Sequence, residues 1–267
     1  MRLTEAVPLC LRPASRGWPG VVLLGCFGFS LGTAAPTGDE LLRSVDAALN
    51  PAAILRLDYA VVTLAKEPWA SDQAARMTAL AQSDKRLYEF VAPSDMCGTK
   101  LLILSPEKTY VYLPAFGKVR RVLAKANPSG LFGMFAAVDL GAELFSTLYA
   151  AQITEDNVAS CVLKLTPKPD VKAPYARIDL TLEKPGLLPV RLEYFDEAGT
   201  VIKTETRRNY DTKDEVSTPR QIRMIDHRPE GGTTTHYLLE WDILTELPTD
   251  AFSRKALEPP PVENIFN

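Results

Sequence analysis

The sequence contains two histidines, His227 and His236, and they are its most chemically versatile side chains. A tight turn between them would place both imidazoles side by side on the polar face of one hairpin. With Asp226 or Asp242 they could form a loose metal site. However, Asp226 and His227 point to opposite faces of a strand. The pattern is typical of two solvated surface histidines, and the sequence predicts no metal and no cofactor.

Motifs for catalysis are sparse. The sequence has no G-x-S-x-G elbow, phosphate-binding loop, H-E-x-x-H helix or C-x-x-C pair. Ser94 and Ser217 could be nominated as nucleophiles, but no base or orienting group accompanies either of them. The sequence therefore predicts a protein that is not an enzyme.

Charge excludes one class of partner. The chain has 30 basic and 33 acidic residues, a net charge of −3, and no basic stripe, which argues against nucleic acid. Two short basic clusters, Lys118 to Arg121 and Arg207-Arg208, could meet a phospholipid headgroup or an acidic partner. They could equally be ordinary solvated strand positions.

The N-terminus indicates export. Arg2, Arg12 and Arg16 precede a short apolar stretch at 21–31, and small residues follow up to Ala35. This order is typical of a secretory signal peptide, whereas a membrane span needs about 20 apolar residues. We expect residues 1–34 to be the signal peptide and residues 35–267 to be a single domain. The alternatives are an uncleaved anchor and a lipid anchor on Cys26, which ends a lipobox-like Leu-Leu-Gly-Cys.

Of the four cysteines, processing would leave Cys97 and Cys161. In an oxidising compartment this pair is favoured as one disulfide, which would stabilise the fold by ~4 kcal/mol. The other interpretation is two buried free thiols.

An amphipathic helix is predicted to open the mature chain. Asp39 is the expected N-cap, apolar residues recur with helical spacing from Leu41 to Leu49, and Asn50-Pro51 ends the helix. Almost everything afterwards resembles short strands separated by Pro and Gly turns. The sequence therefore predicts a mainly β fold with a few helices.

Two hairpins can be registered from their turns. A three-residue loop, 197–199, would pair Phe195 with Val201 and Tyr194 with Ile202. It would also place Glu193 opposite Lys203 and Arg191 opposite Glu205. A two-residue turn at Gly231-Gly232 would pair His227 with His236, Met224 with Leu239 and Ile222 with Trp241.

One segment, 124–150, does not fit the strand pattern. Apolar side chains at 131–135 are crowded between glycines, which suits neither a strand nor a helix. The segment could line or plug an apolar cavity, or it could be an inserted loop packed permanently into the core.

Several stretches follow one another in a recognisable order along nearly all of the mature chain: 101–104 with 110–122, 161–168 with Tyr175, 196–204, 219–224 and 247–253. In this order they resemble the LolA-like family of outer-membrane lipoprotein-sorting proteins, in a divergent branch. The resemblance implies an incomplete antiparallel β-barrel, covered by helices, around an apolar cavity that receives acyl chains. It brings no catalytic residues.

The resemblance and the alternation together predict a function. We expect a monomeric carrier or holder of acylated cargo, lipoprotein or lipid, in the periplasm of a Gram-negative bacterium. Its expected partners are an inner-membrane transporter and an outer-membrane acceptor. The alternative is a non-catalytic adaptor domain that serves an inner-membrane exporter. The predicted lining residues are Leu102, Tyr112, Leu131, Phe132, Met134, Phe135, Leu192, Tyr194, Leu239 and Trp241.

Overall fold

The computed structural model describes residues 35–66, 71–105, 107–122, 133–141, 144–247 and 249–258. Its strands are β1 Ile54–Ala65, β2 Gln73–Gln82, β3 Lys85–Ala92, β4 Lys100–Ile103, β5 Thr109–Leu113, β6 Lys118–Val122, β7 Tyr149–Asp156, β8 Ser160–Pro167, β9 Arg177–Glu183, β10 Leu188–Phe195, β11 Val201–Lys213, β12 Val216–Asp226 and β13 Gly232–Leu244. Its helices are α1 Gly38–Leu49, α2 Ala137–Leu140 and α3 Phe145–Leu148, with 3₁₀ turns at Pro114–Phe116 and Arg254–Leu257.

The first helix begins two residues earlier than the sequence suggests. Thr37, not the predicted Asp39, is the N-cap of α1, and it forms a capping box with Glu40. Asp39 instead accepts a hydrogen bond from the Ala151 backbone N–H at 2.7 Å and so ties α1 to β7. The predicted C-terminal end at Asn50 is confirmed.

All strands belong to one antiparallel sheet. Its order is β6-β5-β4-β3-β2-β1-β13-β12-β11-β10-β9-β8-β7, so two meanders, β1–β6 and β7–β13, are joined by pairing of β1 with β13. The order is linear, and the end strands β6 and β7 do not pair within the described residues. The predicted fold class, an incomplete antiparallel barrel covered by helices, is confirmed.

The apolar face of the sheet forms the main core. On β9 the alternation predicted from the sequence holds, because Ile178, Leu180 and Leu182 are buried while the residues between them are half-buried. The core continues through both meanders and under Leu42 and Val45 of α1. A smaller cluster on the other face contains Leu102, Tyr112 and Leu257, and is covered by the C-terminal 3₁₀ turn.

The first predicted hairpin is right at its turn and wrong beyond it. Phe195 pairs with Val201, as expected, but Tyr194 pairs with Lys203 because Ile202 is an extra, bulged residue. A one-residue shift moves every following side chain to the other face of the strand. Lys203 and Glu205 therefore lie on the inner face, and their predicted pairs with Glu193 and Arg191 do not form.

The second predicted hairpin has the wrong register. Gly232 begins β13 rather than completing a two-residue turn, and the chain turns through a longer loop closed by the Arg228–Asp226 ion pair. Ile222 consequently pairs with His236 instead of Trp241.

The predicted disulfide does not form. Cys97 is free and exposed in the loop between β3 and β4, and Cys161 is free and buried on β8. Seven strands stand between β3 and β8 in the sheet order, so the two thiols belong to distant parts of the sheet.

Candidate functional site

A cavity of about 180 Å³ lies against the inner face of the sheet. Its wall includes Tyr88 of β3 and Ile178 of β9, which are seven strand positions apart. In a flat sheet, seven spacings of ~4.8 Å would separate these strands by roughly 34 Å. The sheet must therefore curve around the cavity. Residues of α1, α2 and α3 complete the wall.

Residues 133–141, which we call the closing segment, form part of the cavity wall through Phe135 and residues 139–141. Gly133 has φ +60°, and a Cβ atom there would lie 2.1 Å from Thr234 Oγ1 and 2.6 Å from Thr63 Oγ1. Only glycine fits this close approach. The next residue, Met134, donates its backbone N–H to Thr234 Oγ1 at 2.8 Å. Phe135 stacks on the ring of His236, with 4.4 Å between the ring centroids.

A buried ion pair fastens the far end of the closing segment. Asp139 Oδ2 lies 2.5 Å from Lys203 Nζ, and the two side chains are 1% and 5% exposed. The second carboxylate oxygen accepts a 2.5 Å hydrogen bond from the Tyr175 hydroxyl. Tyr88 adds a hydrogen bond to the Leu140 carbonyl at 3.0 Å. The closing segment is thus held by directional polar contacts as well as by packing.

A second buried charge pair lies farther along β11. Glu205 accepts hydrogen bonds from the Tyr194 hydroxyl at 3.0 Å and from Arg207 Nε at 2.5 Å. Burial, followed by the nearby Glu205 carboxylate, raises the pKa of Tyr194 well above its usual value. Burial and Asp139 do the same for Tyr175. Both phenols stay protonated near neutral pH, so they act as hydrogen-bond donors.

Arg86 closes the cavity below α1. Its guanidinium donates to the Leu49 carbonyl at 3.2 Å and to Asn50 Oδ1 at 2.9 Å, which joins β3 to the end of the helix. Other donors reach the carbonyls of Ser83 and Lys85. All four acceptors are neutral.

The structure divides the predicted lining residues into several groups. Phe135 and Tyr194 line the cavity, while Leu192, Trp241 and the half-buried Met134 belong to or pack against the same core. Leu102 and Tyr112 are in the cluster on the other face, so their placement in the lining was wrong. Leu131 and Phe132 lie outside the described residues.

Leu239 was also placed wrongly, because a bulge interrupts β13. Asp58 pairs with Glu240 and Tyr59 with Leu238, so Leu239 is the extra residue between them. It is 47% exposed, and Leu238 is buried in its stead.

The histidines do not form the predicted surface pair. His236 is buried between Phe135 and Tyr59, and burial lowers its pKa to about 4, so it is neutral at pH 7. His227 is exposed and bonds to Thr204 Oγ1 at 2.8 Å. Among the described residues no three His, Cys, Asp or Glu side chains come together as a metal site would require.

Sequence reasoning missed the charged wall of the cavity. Lys203, Glu205 and Arg207 all face inwards because of the bulge at Ile202. Charged residues on a half-exposed strand are usually assigned to the solvent face, and no local residue pattern marks this bulge. Within the ranges that the structure describes, no helix is both long and apolar enough to cross a membrane.

Comparisons with known proteins agree with the fold. A family model, described as an uncharacterized protein family, matches residues 82–259, more than half of the chain. No curated protein matches the sequence. Three solved structures share the architecture.

The first is an outer membrane lipoprotein-sorting protein domain from Vibrio parahaemolyticus, with a TM-score of 0.71 and 21% identity over 82% of this chain and 97% of that one. The LolA superfamily protein NE2245 from Nitrosomonas europaea has a TM-score of 0.67 and 20% identity, over 83% of this chain and 100% of that one. A DUF1329 family protein from Desulfovibrio piger has a TM-score of 0.73 and 21% identity, over 83% of this chain and 98% of that one. At these identities the likeness shows the LolA-like fold alone.

Proposed function

The chain belongs to the family of uncharacterized proteins whose model matches residues 82–259, its fold is LolA-like, and we propose that it carries or holds acylated cargo in the bacterial periplasm. Acyl chains would lie against the inner face of the sheet, where each buried CH₂ contributes about 0.8 kcal/mol. The cargo is a lipoprotein or a lipid that moves toward the outer membrane.

The observation that carries this proposal is the closing segment over the curved apolar sheet. The cavity of about 180 Å³ is smaller than the ~300–1,000 Å³ of typical ligand pockets. An acyl chain therefore needs Phe135 to leave its position on His236. The closing segment is suited to this exchange because its own apolar side chains occupy the space that the cargo would take.

The remaining parts of the proposal follow from the sequence and the fold together. Residues 1–34 would direct export and be removed, which leaves one domain. Release would require the closing segment to refill the cavity or an outer-membrane acceptor to compete for the cargo. An inner-membrane transporter would load it. The domain would act as a monomer without catalysis.

The small cavity also favours a second candidate function. If the closing segment never leaves, the domain is a non-catalytic envelope adaptor for an inner-membrane exporter. The two functions differ in whether Phe135 is replaced by a ligand or remains core.

Native mass spectrometry with lipid extraction of the protein purified from a bacterial periplasm separates them. A carrier retains a stoichiometric acyl ligand, and Phe132→Asp together with Phe135→Asp removes it, since a carboxylate at position 135 makes the cavity wall unfavourable for hydrocarbon. Phe116→Asp is the matched control, since Phe116 is 59% exposed on the β5–β6 turn. A ligand-free mass, with no binding of a fluorescent fatty acid at micromolar concentration, would sink the carrier and leave the adaptor.

A further inference from the structure

The charges around the cavity do not balance. Two carboxylates line it, and each already has a cation: Asp139 pairs with Lys203, and Glu205 with Arg207. Arg86 also lines the cavity, but its hydrogen-bond acceptors are three backbone carbonyls and one amide oxygen. In the part of the chain that the structure describes, Arg86 forms no salt bridge.

A cation in a cavity wall is costly when it has no salt bridge, and the nearest carboxylate acting on Arg86, that of Asp84, interacts with it only at longer range. Charges removed from water are normally paired, because burial takes away their hydration. Burial accordingly lowers the pKa of Arg86. The C-terminal carbonyl of α1 offsets part of this cost. A full negative charge brought in by a ligand would offset more.

Arg207 lines the same cavity as Arg86. Its Nε is bonded to Glu205, and its side chain is 14% exposed. Arg86 and Arg207 both lower the pKa of Tyr59 and of Tyr88, against the larger raising effect of burial. Two guanidinium groups therefore act on one pair of tyrosine hydroxyls, and all four side chains line the cavity.

We propose that Arg86 and Arg207, with Tyr59 and Tyr88, form a binding site for the anionic headgroup of the cargo, a carboxylate or a phosphate. The hydrocarbon chain then extends along the apolar wall of Leu55 and Leu57. This inference rests on the proposed carrier function and narrows its cargo to anionic amphiphiles. Guanidinium groups bind both headgroups through paired N–H donors, so the experiment must tell them apart.

The test compares ligands of one chain length by calorimetric titration of the purified full-length protein. Dodecanoate, dodecyl phosphate and dodecan-1-ol share the chain and differ in the headgroup, and inorganic phosphate carries a headgroup alone. We expect at least one anionic ligand to bind about tenfold or more tightly than the alcohol, as a charge-assisted hydrogen bond predicts. The preferred anion identifies the headgroup.

Arg86→Gln should reduce this preference, the ratio of anion to alcohol affinity, to about threefold or less. Arg223→Gln is the matched control, since Arg223 is exposed on β12, and it should retain the preference. Because Arg86 also joins β3 to α1, its variant could fail to fold. In that case the double variant Glu205→Gln with Arg207→Gln tests the headgroup site. It removes the second guanidinium without leaving an unpaired charge, and it should also reduce the preference for the anion.

The outcomes are separable. Equal binding of the alcohol and both anions overturns the headgroup site and leaves the carrier function intact. A preference for the anion over the alcohol that survives in both Arg86→Gln and the double variant also overturns the headgroup site. The role of Arg86 is then only to join β3 to the end of α1. Binding of none of the three amphiphiles overturns the carrier function itself.

Discussion

Single residues determine how this cavity differs from a purely apolar one. Strand β11 directs three charged side chains inwards, those of Lys203, Glu205 and Arg207. All three are in ion pairs, because Lys203 pairs with Asp139 and Glu205 pairs with Arg207. Buried ion pairs add little net stability compared with apolar residues, but removing one partner is strongly destabilising. We therefore explain these charged groups by selection of the cargo and by attachment of the closing segment, rather than by a gain in stability.

The Asp139–Lys203 pair allows a direct test of this view. Asp139→Ala breaks the ion pair of Lys203, whose remaining nearby carboxylate, Asp226, is already paired with Arg228, and it removes the acceptor of the Tyr175 hydroxyl. We expect the free energy of unfolding, measured by urea denaturation, to fall by ~3–5 kcal/mol. Asp156→Ala, which breaks the more exposed pair with Lys184, should cost ~0–1 kcal/mol.

Replacing both partners separates charge from packing. Asp139→Leu with Lys203→Met removes the two charges together, so most of the lost stability should return. A double variant as unstable as Asp139→Ala would contradict the role of the unpaired charge and point to lost packing or hydrogen bonds instead.

His236 predicts a specific loss of stability in acid. Burial lowers its pKa from 6.5 to about 4, so between these values the unfolded chain binds a proton that the folded chain excludes. The stabilisation is present above pH 6.5 and is lost as the pH falls toward 4, by as much as ~3 kcal/mol. His236→Gln should show a shallower decline between pH 7 and pH 4.5 in urea denaturation. Equal declines would contradict burial of a neutral imidazole.

At the scale of elements, the closing segment is the part of the molecule that can change. It is attached to the sheet at one end by Gly133 and Thr234, and at the other by Asp139 and Lys203. Between these attachments Phe135 packs on His236. Loosening one attachment should release the segment without unfolding the sheet, since sheet pairing does not depend on it.

Gly133→Ala should loosen the first attachment. The added Cβ would lie 2.1 Å from Thr234 Oγ1, so the segment must shift, and the loss of ~1–3 kcal/mol should speed amide hydrogen exchange at 133–141 about tenfold or more. Gly199→Ala is the matched control. Gly199 has a similarly positive φ of +79° with no atom within 4 Å of an added Cβ, so exchange at 133–141 should not change.

Element-scale prediction from the sequence was right where alternation was regular. The apolar face of β9 and the turn before Val201 follow from local residue types, and the structure confirms both. Register beyond a bulge does not follow from local types. The extra residues Ile202 and Leu239 reverse the faces of β11 and β13. The charged wall and the exposure of Leu239 could not be predicted for that reason.

At the scale of the whole molecule, the sheet can stay folded while the closing segment beside the cavity moves. Every interior strand of the sheet pairs on both sides, and the long β1–β13 pairing joins the first and last strands of the chain. Stability is therefore distributed over the sheet, while the closing segment depends on a few contacts. Ligand binding should affect these two parts in opposite ways.

This opposition is testable with the acyl ligand that binds best in the titrations. At a free concentration of one hundred times Kd, the global free energy of unfolding should rise by ~2.7 kcal/mol, because the ligand binds only the folded state. Over the same titration, amide hydrogen exchange at 133–141 should accelerate, since the acyl chain of the ligand displaces Phe135 from His236. Slower exchange in the segment together with global stabilisation would mean that the ligand binds beneath a segment that stays closed. Release of the cargo would then require a partner to open it.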